Sequence, residues 1–344
     1  MTEQERLLSL VDQFAGKRIL VLGDMVADEY IYGAPMKISR EAPVLVLRRR
    51  DSSLAPGGAL NPAVNARTLG AEVYLAGVIG DDEPGRCLRR RLAELGINMD
   101  GLFTELGRPT STKTRVLAGD TQLVQQQIVR IDQIDTSELE VATQRDIIAY
   151  LNEMIPQVDA VIISDYENGV ISPHVLKEAL PQARSLDKIV VADSHGDLAR
   201  FQGVTALTPN QPEAEMTLGW EITNAASLDR AGARLLEMTG AEAVLITRGS
   251  EGMCLFTQDA APYHIPASNR TEVADPTGAG DTVAATFTLA LAATPPESHA
   301  YRYRDAAMLA NLAAGLVVRH IGCATNTPSE LAAAVRAFGG EHHA

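Results

Sequence analysis

The stretch DPTGAGDT at residues 275–282 combines small and acidic residues in a spacing that suits phosphate chemistry. Gly278 and Gly280, with only Ala279 between them, leave main-chain N–H groups uncovered, and the apolar run that follows predicts a helix. Unpaired N–H groups at a helix start, together with the helix dipole, attract phosphate and other anions. The presence of an acidic residue, Asp281, inside a predicted anion site therefore requires a chemical explanation.

The same stretch also has a purely structural explanation. Asp281 or Thr282 could cap the helix, and the glycines could form a tight turn between a strand and a helix. Glycine-rich turns before helices often bind nothing, so these eight residues alone do not decide.

A second glycine-rich stretch, residues 56–71, has a composition suited to a sugar. Gly57 and Gly58 allow a flat ligand to approach the main chain, and the amides of Asn61 and Asn65 can donate to and accept from hydroxyls. A helix start with a capping residue explains this stretch equally well.

Two acids near the end of the first predicted strand, Asp24 and Asp28, add acceptors that could hold sugar hydroxyls. Each could instead be a turn residue whose hydrogen bonds are satisfied locally.

Composition limits the classes of function. The 344 residues are 46% hydrophobic and 22% charged, as in globular proteins, and the net charge of −14 argues against a general nucleic-acid or anionic-membrane surface. Three widely spaced cysteines form no CxxC pair, which favours a reducing compartment and spectator thiols. The acidic N-terminal segment resembles no secretory signal, and we expect a cytoplasmic protein without membrane contact.

The elements that would position these residues alternate along the chain. Short apolar runs at 18–24, 160–166, 188–194, 204–210 and 242–249 predict strands, with helical stretches between several of them. This pattern predicts an α/β fold with a mostly parallel sheet covered by helices, and ligands at the carboxyl ends of its strands.

Two regions interrupt the alternation, at about 30–56 and 110–132. Both are rich in β-forming residues with partial period-two alternation, which suits a small sheet with one exposed face. We interpret them as lid strands of a single domain spanning 1–344. An edge extension or an oligomer contact is the alternative, and a lid could serve as both.

The motifs together resemble a known family. The segments GDMVADEY, PGGALNPAVNARTLGA, NQPE, TRGSEG and DPTGAGDT occur in the order seen in PfkB (ribokinase-like) carbohydrate kinases, across nearly the whole chain. KISREAPVLVL, TKTRVL and ISDYENG are most similar to the D-glycero-β-D-manno-heptose 7-phosphate 1-kinases of lipopolysaccharide precursor synthesis. The chain ends soon after NTPSELAAAVRAFGG, so the resemblance implies the monofunctional form, without a cytidylyltransferase-type domain.

The resemblance implies roles for individual residues. Asp281 would be the base that takes the proton of the attacked sugar hydroxyl, while Gly278, Ala279 and Gly280 would form the anion hole for the γ-phosphoryl group of ATP. Glu213 would organise water and Mg²⁺. The sugar would be bound by Asp28, Gly57, Gly58 and Asn61, and the nucleotide by Asn210, Thr247, Gly249, Gly252 and Asn311.

Cations in the lid regions are candidates for binding a sugar phosphate, because the protein is otherwise acidic. They are Lys113 and Arg115, with Lys37 and Arg40. The alternative is that each is a solvent-facing residue on a strand. The alternating strands also motivate a homodimer formed through the lid.

The chain departs from the heptose kinases at two positions. Those enzymes usually read SDYxKG and DPKG, where this chain has Asn168 and His195. The resulting expectation is an ATP-dependent sugar kinase acting on the anomeric hydroxyl of a heptose 7-phosphate. The alternatives are a PfkB kinase for another sugar and a catalytically silent sugar- or nucleotide-binding protein. A dinucleotide-binding dehydrogenase is disfavoured because no GxGxxG follows the first strand.

Overall fold

The computed structural model describes residues 1–120, 123–258, 260–269, 272–295 and 301–341. Short apolar runs form a central sheet that is covered on both faces. Ile19 and Val21 belong to one buried cluster, and the alternating residues Leu20 and Leu22 belong to a second cluster on the other face. A strand buried on both faces reads as a continuous apolar run, which explains why the sequence revealed it.

Nine strands form this sheet within the described residues. They are β1 (Arg18–Gly23), β4 (Glu72–Ile79), β5 (Asn98–Thr104), β8 (Ala160–Asp165), β9 (Ile189–Ser194), β10 (Ala206–Leu207), β11 (Ala243–Thr247), β12 (Met253–Thr257) and β13 (Ala260–Ile265). Their order is β13-β12-β11-β10-β9-β8-β1-β4-β5. The seven strands from β11 to β5 in this order are parallel to one another. Strands β12 and β13 form an antiparallel edge next to β11.

Ten α-helices lie in the described part of the chain. They are α1 (Glu3–Asp12), α2 (Leu60–Thr68), α3 (Glu83–Glu94), α4 (Val141–Met154), α5 (Pro173–Ser185), α6 (Gln211–Leu218), α7 (Ala225–Thr239), α8 (Ala279–Ala293), α9 (Arg302–Val317) and α10 (Pro328–Glu341). Helix α8 is buried along nearly its whole length and packs against α2, α9, β8 and β9. None of the described helices has the length and apolarity needed to cross a membrane.

A second sheet of four described strands forms the lid. It consists of β2 (Met25–Ile38), β3 (Leu45–Gly58), β6 (Ser111–Asp120) and β7 (Leu123–Gln133), in the order β3-β2-β6-β7. Strand β2 begins two residues after β1 ends, so one continuous segment connects the central sheet to the lid. The predicted α/β fold with a small lid sheet is confirmed. The single-domain assignment stays a prediction, and residues 121 and 122 of the predicted lid range lie outside the described residues.

Candidate active site

The candidate site lies at the carboxyl ends of the parallel strands, where α8 begins. Gly278 is the N-cap of α8, with φ +80°, and no side chain caps the helix. A Cβ at Gly278 would lie 2.6 Å from Asn61 Nδ2, so both conformation and space require glycine. Asp281 lies in the first turn, and its carboxyl binds side chains of other elements. The interpretation of Asp281 as a capping residue is therefore wrong.

Both carboxyl oxygens of Asp281 accept hydrogen bonds. Asn61 Nδ2 donates to Oδ2 at 2.7 Å, and Tyr166 OH donates to Oδ1 at 3.0 Å. Asn61 is itself held by Asn65 Nδ2, which donates to Asn61 Oδ1, while Thr282 Oγ1 donates to Asn65 Oδ1, both at 3.0 Å. The side chain of Asn61 thus orients Asp281 in this structure.

Burial and hydrogen bonding act in opposite directions on Asp281. The residue is 7% exposed, and this burial raises the pKa of its carboxyl to about 6, although Tyr166 and Asn61 favour the ionised form. A carboxylate with this pKa is ionised at neutral pH and can still accept a proton, as a general base requires.

The main-chain N–H groups beside Asp281 differ in their availability. Ala279 N–H donates to Pro276 O at 3.2 Å. The N–H groups of Gly278 and Gly280 have no acceptor among the described residues. A Cβ at Gly280 would meet no atom within 4 Å, so open space lies beside this N–H group. Two of the three predicted anion-hole groups are therefore free to bind an oxyanion.

Asp28, on the lid strand β2, is buried and forms an ion pair with Arg115. Arg115 Nη1 donates to Asp28 Oδ1 at 2.5 Å, and Cys323 Sγ donates to Oδ2 at 3.6 Å. A Cβ at Gly57 would lie 2.3 Å from Asp28 Oδ2, and Gly58 has φ +55°. The two glycines therefore let strand β3 approach the acids at the base of the lid.

The predicted cations occupy different places. Lys113 of β6 lies opposite Asp28 of β2 in the register of the two strands. Its Nζ lies 4.8 Å from the centroid of the Tyr166 ring. Lys37 is exposed at the distal end of β2, and Arg40 is exposed in the turn that follows this strand. Strand geometry separates Lys37 from Asp28 by about 30 Å. The structure thus brings Lys113 and Arg115 to the site and leaves the other two away from it.

A cavity of about 220 Å³ adjoins the start of α8. It is lined by apolar side chains such as Val273, Val283 and Val318, and by the predicted nucleotide residues Thr247, Gly249, Gly252 and Asn311, together with Ala279 and Gly280. The side chain of Asn311 donates to Pro266 O at 2.9 Å, so it holds the wall of the cavity. An apolar slot that ends at free N–H groups suits an adenine nucleotide.

The NQPE segment forms the cap of α6 and an ionic cluster. Asn210 Oδ1 accepts from Glu213 N–H at 2.9 Å, and Glu213 Oε2 accepts from Asn210 N–H at 2.8 Å, so the capping interpretation holds. Glu213 Oε1 also binds His195 Nδ1 at 2.6 Å, and this bond raises the pKa of His195. Desolvation, with the nearby charge of Glu213, raises the pKa of Asp193 to about 7.

These oxygens provide hard ligands of the kind that Mg²⁺ prefers. Asp193 lies at the end of β9 and Glu213 follows the neighbouring strand β10, and the negative charge of Glu213 acts on Asp193. Among the described residues, no group of three or more His, Cys, Asp or Glu could enclose a metal ion by itself. An ion here would therefore complete its shell with water or phosphate oxygens.

Two residues singled out in the sequence have structural partners. Asp24 is buried and accepts the N–H groups of Tyr166, Asn168 and Val170 at 2.8 to 3.1 Å, which fixes the loop after β8. Burial raises the pKa of Asp24 to about 6. Asn168 is 5% exposed, and its Nδ2 has no partner among the described residues. Asp24 is thus a satisfied turn acid and not a free sugar ligand.

Sequence reasoning missed three residues of the site. Tyr166 and Asp193 lie at the ends of the adjacent strands β8 and β9, so their position after a predicted apolar run was a usable signal. Cys323 was expected to be a spectator thiol. Its contacts with Asp28 and the Gly278 turn depend on the chain path after α9, for which the sequence carried no signal.

Comparison with known proteins decides the family. A model of the pfkB family carbohydrate kinases matches residues 17–330. The chain belongs to this family. It is a carbohydrate kinase by descent, and the confirmed lid and central sheet agree with this membership.

Individual relatives are similar to this chain in sequence, and solved structures are similar to it in fold. The bifunctional protein HldE of Desulfatibacillum aliphaticivorans is 41% identical over 94% of this chain, and that of Caulobacter vibrioides is 39% identical over 98%. This chain spans only part of these relatives, 64% and 67% of their length. Arabidopsis thaliana ribokinase complexed with ribose and ATP superposes with a TM-score of 0.70 at 18% identity, covering 94% of this chain and 99% of that one. Escherichia coli phosphofructokinase-2 in complex with fructose-6-phosphate gives 0.71 at 16%, with the same coverage.

Proposed function

We propose that the chain transfers the γ-phosphoryl group of ATP to a sugar hydroxyl, with Asp281 as the base. The observation that carries this proposal is the position of Asp281 in the first turn of α8, beside the free N–H groups of Gly278 and Gly280. An acceptor for a proton and donors for an oxyanion thus lie at one helix start.

The reaction needs few groups. The sugar hydroxyl oxygen forms a bond to the γ-phosphorus, the bond to the β-phosphate oxygen breaks, and the hydroxyl proton passes to the Asp281 carboxylate. Charge on the transferred group is met by the N–H groups of Gly278 and Gly280. Because phosphoryl transfer depends mainly on positioning and charge stabilisation, bare backbone and one acid suffice.

The apolar cavity beside Gly280 would hold the adenosine, and Glu213, acting through water, would bind Mg²⁺ together with Asp193. A bound Mg²⁺ supplies neutralisation of phosphate charge. Asn210 would keep Glu213 in place through the bond from its Nδ2 to Glu213 Oε1 at 2.7 Å.

For the acceptor we propose the anomeric hydroxyl of a heptose 7-phosphate. Support comes from the resemblance of ISDYENG and TKTRVL to heptose kinases and from relatives named HldE. Lys113 is the cation best suited to the sugar phosphate, since Arg115 is already paired with Asp28. Asn61, Gly57 and Gly58 would adjoin the sugar, since the two glycines lie against the acids Asp28 and Asp24 and Asn61 binds the proposed base.

A PfkB kinase for another sugar is the second candidate. The observations that favour it are Asn168 and His195, which stand where the heptose kinases usually have lysines. Asn168 is buried and His195 is bound to Glu213, so neither offers the reach of a lysine.

The test is ADP release from Mg-ATP with a panel of sugars and sugar 7-, 6- and 1-phosphates. Selective turnover of the heptose 7-phosphate supports the first candidate, and turnover of another sugar supports the second. If the protein binds ATP and releases no ADP with any sugar, it is a binding protein, and the proposed function is wrong.

We also propose that the lid forms a homodimer contact. Large apolar side chains are exposed on two of its strands, β2 and β7, and on the turn before β3: Met36, Ile38, Val44, Ile128 and Ile131. Several exposed large apolar side chains on one small sheet are typical of an interaction surface.

A further inference from the structure

Tyr166 is fixed at both its backbone and its side chain. It directly follows β8, and its N–H donates to Asp24 Oδ2 at 2.8 Å. Its OH donates to Asp281 Oδ1 at 3.0 Å. The residue therefore connects strand β8 of the central sheet with the proposed base at the start of α8.

The ring of Tyr166 is held from two further elements. His195, after β9, meets it edge to face, with ring centroids 4.4 Å apart and an interplanar angle of 82°. Lys113 of the lid strand β6 lies over the ring, with Nζ 4.8 Å from the centroid. Aromatic and cation contacts of this geometry restrict a ring to one orientation.

The phenol can act only as a donor to Asp281. Desolvation and the negative charge of Asp281 raise the pKa of Tyr166 well above its ordinary value, so the OH stays protonated. Asn61 donates to the other carboxyl oxygen at 2.7 Å. With one donor on each oxygen, the carboxyl cannot rotate, and each oxygen keeps a lone pair for a substrate hydroxyl.

We propose that Tyr166 is a positioning residue for the base, which fixes the Asp281 carboxylate toward the acceptor hydroxyl. This role rests on the proposed kinase function. Tyr166 itself touches neither the transferred phosphoryl group nor the proton that Asp281 accepts; it acts through the carboxylate, as a support of a catalytic group does.

Loss of the phenol OH should change both rate and pH dependence. The Tyr166 hydrogen bond favours ionised Asp281, so its removal raises the pKa of Asp281 further. The other ionisable groups that act on Asp281 are Asp28 on β2, Asp193 and His195 at the end of β9, and Cys323 after α9. They are unchanged by a substitution of Tyr166 to Phe.

The experiment compares the wild type, Tyr166→Phe and the control Tyr150→Phe with Mg-ATP and the best sugar of the panel. Tyr150 is also a partly buried tyrosine whose OH binds an asparagine, Asn98, at 3.5 Å, but it belongs to α4. For Tyr166→Phe we expect kcat to fall about 10- to 100-fold, the value of one hydrogen bond to a charged group, with the KM for ATP changed less than about threefold. The acid limb of kcat/KM should move up by about one pH unit.

Each result of this experiment either supports or overturns the positioning role of Tyr166. Unchanged kcat and an unchanged acid limb in folded Tyr166→Phe overturn the positioning role, as does an equal loss in Tyr150→Phe. A fall in kcat without a shift of the acid limb also contradicts it. Should Tyr166→Phe not fold, 3-fluorotyrosine at the same position is a stronger donor and should move the acid limb down; no movement overturns the inference. A wild type that phosphorylates no sugar refutes the proposed function instead.

Discussion

The carboxyl of Asp281 lies where two effects oppose each other. Burial disfavours its charge, and the two donors Asn61 and Tyr166 favour it. Burial dominates, so the pKa rises to about 6 and the protein carries a destabilising charge at neutral pH. Such a cost at one residue is typical of a functional site.

Because the buried charge of Asp281 is destabilising, we expect Asp281→Asn to increase the free energy of unfolding. Because the pKa of Asp281 is higher in the folded protein than its ordinary 3.8, the folded state binds the proton more tightly, and stability falls as pH rises between these two values. Asparagine carries no such charge, and its amide can donate to Tyr166 while its carbonyl accepts from Asn61. We expect Asp281→Asn to gain about 1–3 kcal/mol relative to wild type between pH ~4 and pH ~7.5. Urea unfolding at both pH values measures it; a difference independent of pH would show that Asp281 has an ordinary pKa.

Gly280 offers a test of the anion hole that leaves the fold intact. A methyl group at this position meets no protein atom and would enter the cavity that Gly280 lines. In a helix, alanine is more favourable than glycine by about 1 kcal/mol. We expect Gly280→Ala to be as stable as wild type or more so, with kcat/KM for ATP reduced at least about tenfold, measured by thermal unfolding and steady-state kinetics.

Gly278→Ala is the matched comparison for Gly280→Ala. Gly278 has φ +80° and its Cβ would lie 2.6 Å from Asn61 Nδ2, so this substitution should reduce both stability and activity. Wild-type activity in Gly280→Ala would remove this backbone from the phosphate site.

Among the secondary-structure elements, most of the parallel strands were predictable from the sequence, whereas the parallel edge strand β5 and the antiparallel strands β12 and β13 were not. Runs at 18–24, 160–166, 188–194 and 242–249 form β1, β8, β9 and β11, because burial on both faces gives an unbroken apolar pattern. The run at 204–210 yields only Ala206–Leu207, since Pro209 lacks an N–H group and Asn210 caps α6. No prediction covered β5, β12 or β13.

The site contacts depend on distances in sequence that local patterns cannot encode. Asn61 and Asp281 are 220 residues apart, and Tyr166 and Asp281 are 115 apart. Motif order predicted which residues would gather, but the partners of each atom follow from strand order in the sheet. For this reason Asn61 was predicted as a sugar ligand, whereas its amide binds the carboxyl of Asp281 in the structure.

The lid strand β6 provides a test of substrate binding. Lys113→Met keeps a long side chain and removes the charge that would bind a sugar phosphate. We expect the KM for the sugar phosphate to rise about 10- to 100-fold, with little change for the same sugar without its phosphate. Lys37→Met, on the distal end of β2, is the control and should behave as wild type in both assays. Equal KM values for Lys113→Met and wild type would exclude Lys113 as the phosphate ligand.

In the molecule as a whole, the lid exposes large apolar side chains. Met36, Ile38 and Ile131 are each more than half exposed. A small sheet without a cover on these side chains gains from association with a second copy, because burial of apolar area is favourable.

We therefore expect light scattering at micromolar protein to give twice the mass of one chain. Ile131→Lys should shift the equilibrium to monomer by placing a charge in the contact. Leu106→Lys is the control, because Leu106 is 80% exposed and lies outside the lid. A monomeric wild type would show that the lid does not form a dimer contact.

A phosphorus NMR time course with Mg-ATP and heptose 7-phosphate tests directly whether the protein phosphorylates this sugar with Asp281 as the base. Wild type and Asp281→Asn are measured side by side, with the variant shown to be folded and to bind ATP. We expect ADP and a new sugar phosphate ester to grow together in the wild type, and the variant to be slower by about 10²-fold or more, the value of a general base. Equal rates in the two proteins would contradict the role of Asp281, and release of inorganic phosphate without an ester would contradict phosphoryl transfer to this sugar.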